Sequence, residues 1–248
     1  MPNNRTELRE HFIRRFKSDP EFLRNNKDIE KIEQIPADDR FPCQSPRDAL
    51  ALTSEFFPDE VALTYLPNGS ASDNPIHWSY LQYQQEVNRA ANVFNNLGLQ
   101  ADQSVIFLLP NVPQLLFGLW GAQIAGIAAP INPYLEVEHI ASIARSANAR
   151  ILVTLAPTEP GGEELWRKAM LAKDAVPSLE SIITVGAAVA QDSLSWTQET
   201  EQQPADRLIF DRPITGDEIA SYFHTGGTTG APKLAQHTHR MQVLNVCQ

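Results

Sequence analysis

Nine consecutive positions hold the residues of this chain best suited to chemistry: Thr225-Gly226-Gly227-Thr228-Thr229-Gly230-Ala231-Pro232-Lys233. Polyphosphate binding asks for this mixture. Glycines let successive backbone N–H groups turn inward with no Cβ in the way, and a nest of amides holds an anion. Threonine hydroxyls add donors, and a lysine adds a mobile positive charge. Pro232 fixes its own φ and biases Ala231 away from helix, which stiffens the end of the loop. The candidate ATP- and pyrophosphate-binding set is therefore Thr225, Gly226, Gly227, Thr228, Thr229, Gly230 and Lys233.

Spacing excludes two familiar phosphate loops. A Walker A loop requires G-x-x-x-x-G-K-[ST], but Pro232 precedes the lysine here and Leu234 follows it. A G-x-G-x-x-G loop would need glycine at position 225, which is Thr225. The run resembles instead the T-S-G-T-T-G-x-P-K-G loop of the AMP-forming adenylating enzymes, the superfamily of acyl-CoA synthetases, peptide-synthetase adenylation domains and luciferases. It departs from that pattern at Gly226, where serine is usual, and at Leu234, where glycine is usual. One hydroxyl and some flexibility are lost, while the amides and the lysine charge remain.

Upstream segments resemble the same superfamily in the same order. Trp78-Ser79-Tyr80-Leu81-Gln82-Tyr83 is similar to its (T/S)-Y-x-(E/Q)-L element, and Val105 to Asn111 to its strand ending in l-P-N. Gly126 to Pro133 is similar to its G-a-v-x-x-P-l-N-P segment, and Thr238-His239-Arg240 falls where many members carry T-H-R. The resemblance runs from about Asp48 to Gln248.

What the resemblance implies is a two-step ligase. A carboxylate attacks ATP to give an acyl-adenylate and pyrophosphate, and a thiol, usually CoA, then displaces AMP. ATP, Mg²⁺ and CoA are the implied cofactors and co-substrates, with a fatty or aromatic acid as the expected substrate. A peptide-synthetase-type adenylation domain stays open as an alternative, as does a non-catalytic nucleotide-binding module. In the superfamily the carboxylate pocket, the acidic magnesium ligand, the ribose-binding aspartate and the adenylation lysine all lie beyond the phosphate loop. No catalytic residue and no metal ligand is therefore expected within this chain, and the chain alone is expected to be inactive.

Net charge is −10, with 20 Lys+Arg against 30 Asp+Glu. Residues 1–47 carry ten Lys/Arg and nine Asp/Glu, so the acidity belongs to the remainder. Such a body is a poor nucleic-acid binder and repels ATP and CoA at long range, leaving local amides and cations to bind them. The two cysteines, Cys43 and Cys247, suggest no disulfide framework or metal site. Charges scattered through residues 5–17 argue against a signal peptide, and cytoplasmic is the expected location.

Apolar periodicity places the elements that must hold the loop. A polar helical leader over 5–34, with Leu8, Phe12 and Phe16 on one face, and a connector with Pro36, Pro42 and Pro46 make up residues 1–47. Residues 48–248 form the expected adenylating unit. Strands are expected near 61–66, 76–78, 104–109, 127–131, 150–155 and 181–185, with helices near 112–126, 136–147 and 162–173. Ser79 and Gln82 form a capping box flanked by Trp78 and Tyr83 as a staple, and Gly98 closes the helix they open. Asn111 is expected to cap the next helix. The apolar stretch Leu115–Ile131 is too short, and too broken by Gly126 and Pro130, to span a membrane; it reads as a core helix and a strand.

Strands separated by helices predict an α/β fold with a mostly parallel sheet, the loop at its carboxyl edge. Residues 190–217 read as a long surface connection with solvated polar residues. Trp120 and Trp166 read as packing residues, and His237 and His239 as surface or capping residues rather than catalytic ones. Residues 239–248 read as the first turns of an amphipathic helix with no stop signal. The chain is therefore expected to be the N-terminal portion of a longer enzyme, and to self-associate through its uncovered sheet edge.

Overall fold

The computed structural model describes residues 25–34, 43–189, 191–225 and 232–246. Most of the expected leader, with Leu8, Phe12 and Phe16, lies outside these residues; its described part is helix α1 (Asn26–Glu33). Pro46 is not part of a connector. It opens helix α2 (Pro46–Phe56), where Ser45 and Asp48 close a reciprocal capping box.

A two-stranded ribbon follows, β1 (Val61–Tyr65) against antiparallel β2 (Ile76–Ser79). The Ser79 hydroxyl accepts from the Gln82 amide at 3.3 Å, and the Gln82 side chain accepts from the Ser79 amide at 2.9 Å. That box starts helix α3 (Tyr80–Asn96), whose buried face is Tyr83, Val87, Ala90, Ala91 and Phe94. Trp78 and Tyr83 both pack edge-on against Phe117, so the expected staple is joined through a third ring. Gly98, at φ +78°, turns the chain out of α3 in a conformation that a side chain would strain.

The main sheet has seven strands in the order β7-β6-β5-β3-β4-β8-β9. Its members are β3 (Ser104–Leu108), β4 (Ile127–Pro130), β5 (Ala149–Leu155), β6 (Ser181–Val185), β7 (Leu194–Ser195), β8 (Ile219–His224) and β9 (Leu234–Thr238). All neighbours pair in parallel except β8 and β9, which form an antiparallel hairpin. Strand β3 is buried along its whole length, as a central parallel strand covered on both faces must be.

Helices α4 (Pro113–Ala125), α5 (Val137–Ser146) and α6 (Gly162–Ala175) connect the strands. The step from β3 to β4 runs one way along the sheet, and the steps from β4 to β5 and β5 to β6 run the other way. Right-handed crossovers therefore put α4 on one face and α5 with α6 on the opposite face. The contacts agree: α4 packs with α2 and α3, while α5 packs with α6. Among the described residues no helix is long and apolar enough to cross a membrane.

Two further readings of the sequence differ from the structure. Helix α4 has Val112 as its N-cap with no side-chain hydrogen bond, and Asn111 does not cap it. Residues 191–217 keep most of their polar side chains exposed or half-exposed, as expected, but they are not wholly irregular: they contain β7 and helix α7 (Trp196–Glu201), with Trp196 and Thr200 buried. The later part of that segment is tied down by buried Asn92 of α3. Its amide donates to the carbonyls of Pro204 and Arg207 at 3.1 and 3.0 Å, and its oxygen accepts from the Ile209 amide at 2.9 Å.

Candidate functional site

The parallel strands β3, β4 and β8 end on one edge of the sheet, and the residues just beyond them form the candidate site. Strand β3 leads to Asn111, β4 leads to Asn132 and Pro133, and β8 leads to Thr225. Ligands of open α/β sheets gather at this carboxyl edge.

Thr225 and Lys233 are the described ends of the glycine-threonine loop; Gly226, Gly227, Thr228, Thr229 and Gly230 lie outside the described residues. The Thr225 amide donates to the Lys233 carbonyl at 2.9 Å, and the Thr225 hydroxyl reaches the same oxygen at 3.5 Å. His224 and Leu234 are paired just behind them. The loop is thus the tip of the β8–β9 hairpin, closed at its base by its own first and last members. Lys233 is exposed at the mouth. Strand β9 has no apolar alternation to announce it; Leu-Ala-Gln-His-Thr becomes a strand by pairing with β8.

His224, immediately before the loop, was not singled out from the sequence. Its Nε2 accepts from the Asn132 backbone amide at 3.1 Å, and burial holds its pKa below the ordinary histidine value. Asn132 in turn accepts from the Tyr134 amide at 3.0 Å through its side-chain oxygen. The next residue, Pro133, takes a hydrogen bond on its carbonyl from buried Lys168 of α6 at 3.1 Å. The available signal was positional: a histidine ends the strand that feeds the loop, beside the strand ending in Pro130-Ile131-Asn132-Pro133. A cavity of about 300 Å³ opens among these strand ends, lined by Phe107, Leu109, Asn111, Leu115, Asn132 and His224 among others.

A larger hollow, about 450 Å³, lies at the start of α6 among Glu159, Glu163, Glu164 and Arg167. Three carboxylates against one guanidinium repel a polyphosphate. Arg167 is also committed to Glu164 at 2.7 Å, which holds that carboxyl below its usual range.

The two histidines past the loop differ. His237 is exposed and packs edge-on against Phe223. His239, expected at the surface or as a cap, is buried to 1%, and neither ring nitrogen has a hydrogen-bond partner among the described residues. It opens α8 (His239–Val246), and the capping is done by Thr238, whose hydroxyl accepts from the Met241 amide at 3.2 Å. Burial first, then the Arg212 guanidinium, push His239 down to about 4, against the opposing pull of Glu218 and Asp48.

Comparison with known proteins gives the class. The pattern of the AMP-binding enzyme family matches residues 51–248, and this chain belongs to that family of AMP-forming ligases. Among curated relatives, it is 45% identical over 238 residues to marinolic acid–CoA ligase from Pseudoalteromonas sp. (strain SANK 73390), covering 96% of this chain and 36% of that protein. It is 36% identical over 164 residues to crotonobetaine/carnitine–CoA ligase from Escherichia coli (strain K12 / DH10B), covering 65% and 31% of the two. The chain thus spans about a third of the length of the curated relatives it matches. Among solved structures, the anthranilate CoA ligase AuaEII in complex with anthranoyl-AMP superposes with a TM-score of 0.68 at 22% identity, over 79% of this chain and 35% of that one. The N-terminal domain of FACL13 from Mycobacterium tuberculosis, bound to an inhibitor, gives 0.63 at 23% identity, over 79% and 45%. These two likenesses carry the α/β fold.

Proposed function

We propose that this chain supplies the pyrophosphate-holding part of an acyl-CoA ligase. The observation that carries the reading is the loop closed by Thr225 and Lys233 at the carboxyl edge of the sheet, in a member of the AMP-binding enzyme family. In the first step a carboxylate oxygen of the acid attacks the α-phosphorus of ATP. The bond from that phosphorus to the bridging oxygen breaks, and pyrophosphate leaves with the electron pair. Negative charge builds on the departing group, and preorganised donors stabilise it. That task falls to the amides of Gly226, Gly227 and Gly230, the hydroxyls of Thr225, Thr228 and Thr229, and the Lys233 ammonium.

In the second step the sulfur of CoA, having lost its proton, attacks the acyl carbon. The acyl–oxygen bond breaks, AMP leaves and a thioester forms. CoA as acceptor is supported by the two curated relatives, both CoA ligases, and a fatty or aromatic acid is the proposed substrate. Mg²⁺ enters as the ion that accompanies ATP. The acid, ATP and CoA are the proposed small-molecule partners, and a cytoplasmic setting goes with them.

Equilibrium titration of ATP and of pyrophosphate onto a full-length ligase carrying this sequence tests the reading directly. Saturable binding of both, weakened roughly ten- to a hundredfold in Lys233→Ala, is expected, and binding unchanged in that variant would overturn it.

A further inference from the structure

We infer that His224 is a positioning residue for the mouth of the phosphate loop, locking the first loop residue to the end of strand β4 through the Asn132 amide. The inference rests on the proposed role of that loop and concerns how its base is held.

Strands β4 and β8 are only briefly in register, with Ala128 opposite Ser221. That pairing lies three residues short of His224, so the sheet ladder alone does not carry the junction to the loop. The bond from the Asn132 amide to His224 Nε2, at 3.1 Å, carries it. A backbone amide can only donate, so this nitrogen must be without a proton. The ring is held as the neutral tautomer with its proton on Nδ1, and neither the other tautomer nor the imidazolium can keep the bond.

The other partner of this bond is also fixed. The Asn132 side chain folds back onto the Tyr134 amide, and the Pro133 carbonyl accepts from Lys168 Nζ at 3.1 Å. The Lys168 residue is 7% exposed, and its ammonium sits between the Pro133 carbonyl and the Glu164 carboxylate, with which it pairs at 3.8 Å. An ammonium so buried is held by both partners. A relay thus runs from α6 through the Asn132–Pro133 turn to His224, and one residue further to the Thr225–Lys233 closure.

The test is made in a full-length ligase carrying this sequence, with Lys233→Ala in parallel. His224→Leu keeps similar bulk without an acceptor, and His224→Gln places an acceptor near the Nε2 position. Losing this bond should raise KM for ATP about two- to tenfold in His224→Leu, the net worth of one ordinary hydrogen bond, since Asn132 is exposed and water can reach the freed amide. KM for the acid should stay within about twofold, and His224→Gln should recover most of the loss. Lys168→Met should act in the same direction, and the double variant with His224→Leu should fall short of the product of the two effects, because both loosen one contact. An unchanged His224→Leu beside an impaired Lys233→Ala would overturn this inference and leave the proposed function standing. If both variants behave as wild type, the loop reading itself fails. Equal damage in His224→Leu and His224→Gln, spread over both substrates, would mark a general packing role and overturn positioning. Should His224→Leu not fold, ¹⁵N NMR of the histidines in this chain decides: an unprotonated Nε2 at neutral pH is expected, and a protonated one would overturn the inference.

Discussion

The Thr225 amide donates to the Lys233 carbonyl at 2.9 Å, so the first and last chemical groups of the candidate phosphate loop are also its closing hydrogen bond. Lysine backbone and lysine ammonium then have separate roles. The carbonyl shuts the hairpin and the side chain extends from its mouth, so truncating the side chain leaves the closure intact. This separation makes Lys233→Ala a clean probe of charge.

Asn92 should be a main anchor of the segment after α7. Asn92→Leu removes two bonds to carbonyls and one from an amide, made by a fully buried side chain to a partly buried segment. A loss on the order of 2–4 kcal/mol in unfolding free energy is expected, from orphaned backbone groups at about 1–3 kcal/mol each with partial relaxation. Urea unfolding measures it, and faster hydrogen exchange at the Ile209 amide should accompany it. A variant as stable as wild type would show the segment to be held by other means.

Helices α3 and α4 pack backbone to backbone at Gly121. A Cβ there would stand 2.7 Å from the Ala90 Cβ and 2.8 Å from the Ala91 nitrogen, neither of which can swing aside. Gly121→Ala should therefore destabilise by about 1–3 kcal/mol, the range for overpacking, and outweigh the gain in helix propensity. The urea midpoint should drop with the slope unchanged. An unchanged or higher midpoint would contradict this packing.

His239 should make the fold acid-sensitive. Its folded value of about 4 lies below the ordinary 6.5. Between those two values the unfolded chain binds a proton that the folded chain refuses, so stability falls as pH drops through 6.5 and stops falling from this source near 4. The total is on the order of 2 kcal/mol, less than the full conversion of the shift because water and the nearby Glu218 and Asp48 soften it. Stability measured against pH should slope less in His239→Leu than in wild type over this window. Parallel curves would assign the acid sensitivity elsewhere.

The strands of the central sheet were readable because a strand buried on both faces is written as a short apolar run, as in Val105-Ile106-Phe107-Leu108. The start of α3 was readable because Ser79 and Gln82 are local partners, and its end because Gly98 takes a positive φ. The order within the segment 191–217 was not legible for a long-range reason. Three of its backbone groups, at Pro204, Arg207 and Ile209, are satisfied by Asn92, more than a hundred residues away, and such a partner leaves no mark on local composition. Strand β9 and the burial of His239 depend in the same way on pairing with β8 and on the Glu218 carbonyl that receives the His239 amide. The Asn111 cap failed because a side chain able to cap need not be the one at the N-cap position; Val112 occupies it. Of the candidate site, residue types and order were legible in the loop itself. The His224–Asn132 contact was not, because strand order decides which loops become neighbours.

The most direct test of the central claim compares half-reactions in a full-length ligase carrying this sequence. Lys233→Ala should slow adenylation, measured as ATP–pyrophosphate exchange, by roughly ten- to a hundredfold, from about 1.5–3 kcal/mol for a hydrogen bond to a charged group. Thr228→Val should act in the same direction but more weakly, since it removes a neutral donor. Thioester formation from pre-made acyl-adenylate should change little in either variant, because pyrophosphate has already left. If Lys233→Ala slowed both half-reactions equally, or neither, the loop would not hold the pyrophosphate and Lys233 would be a surface charge.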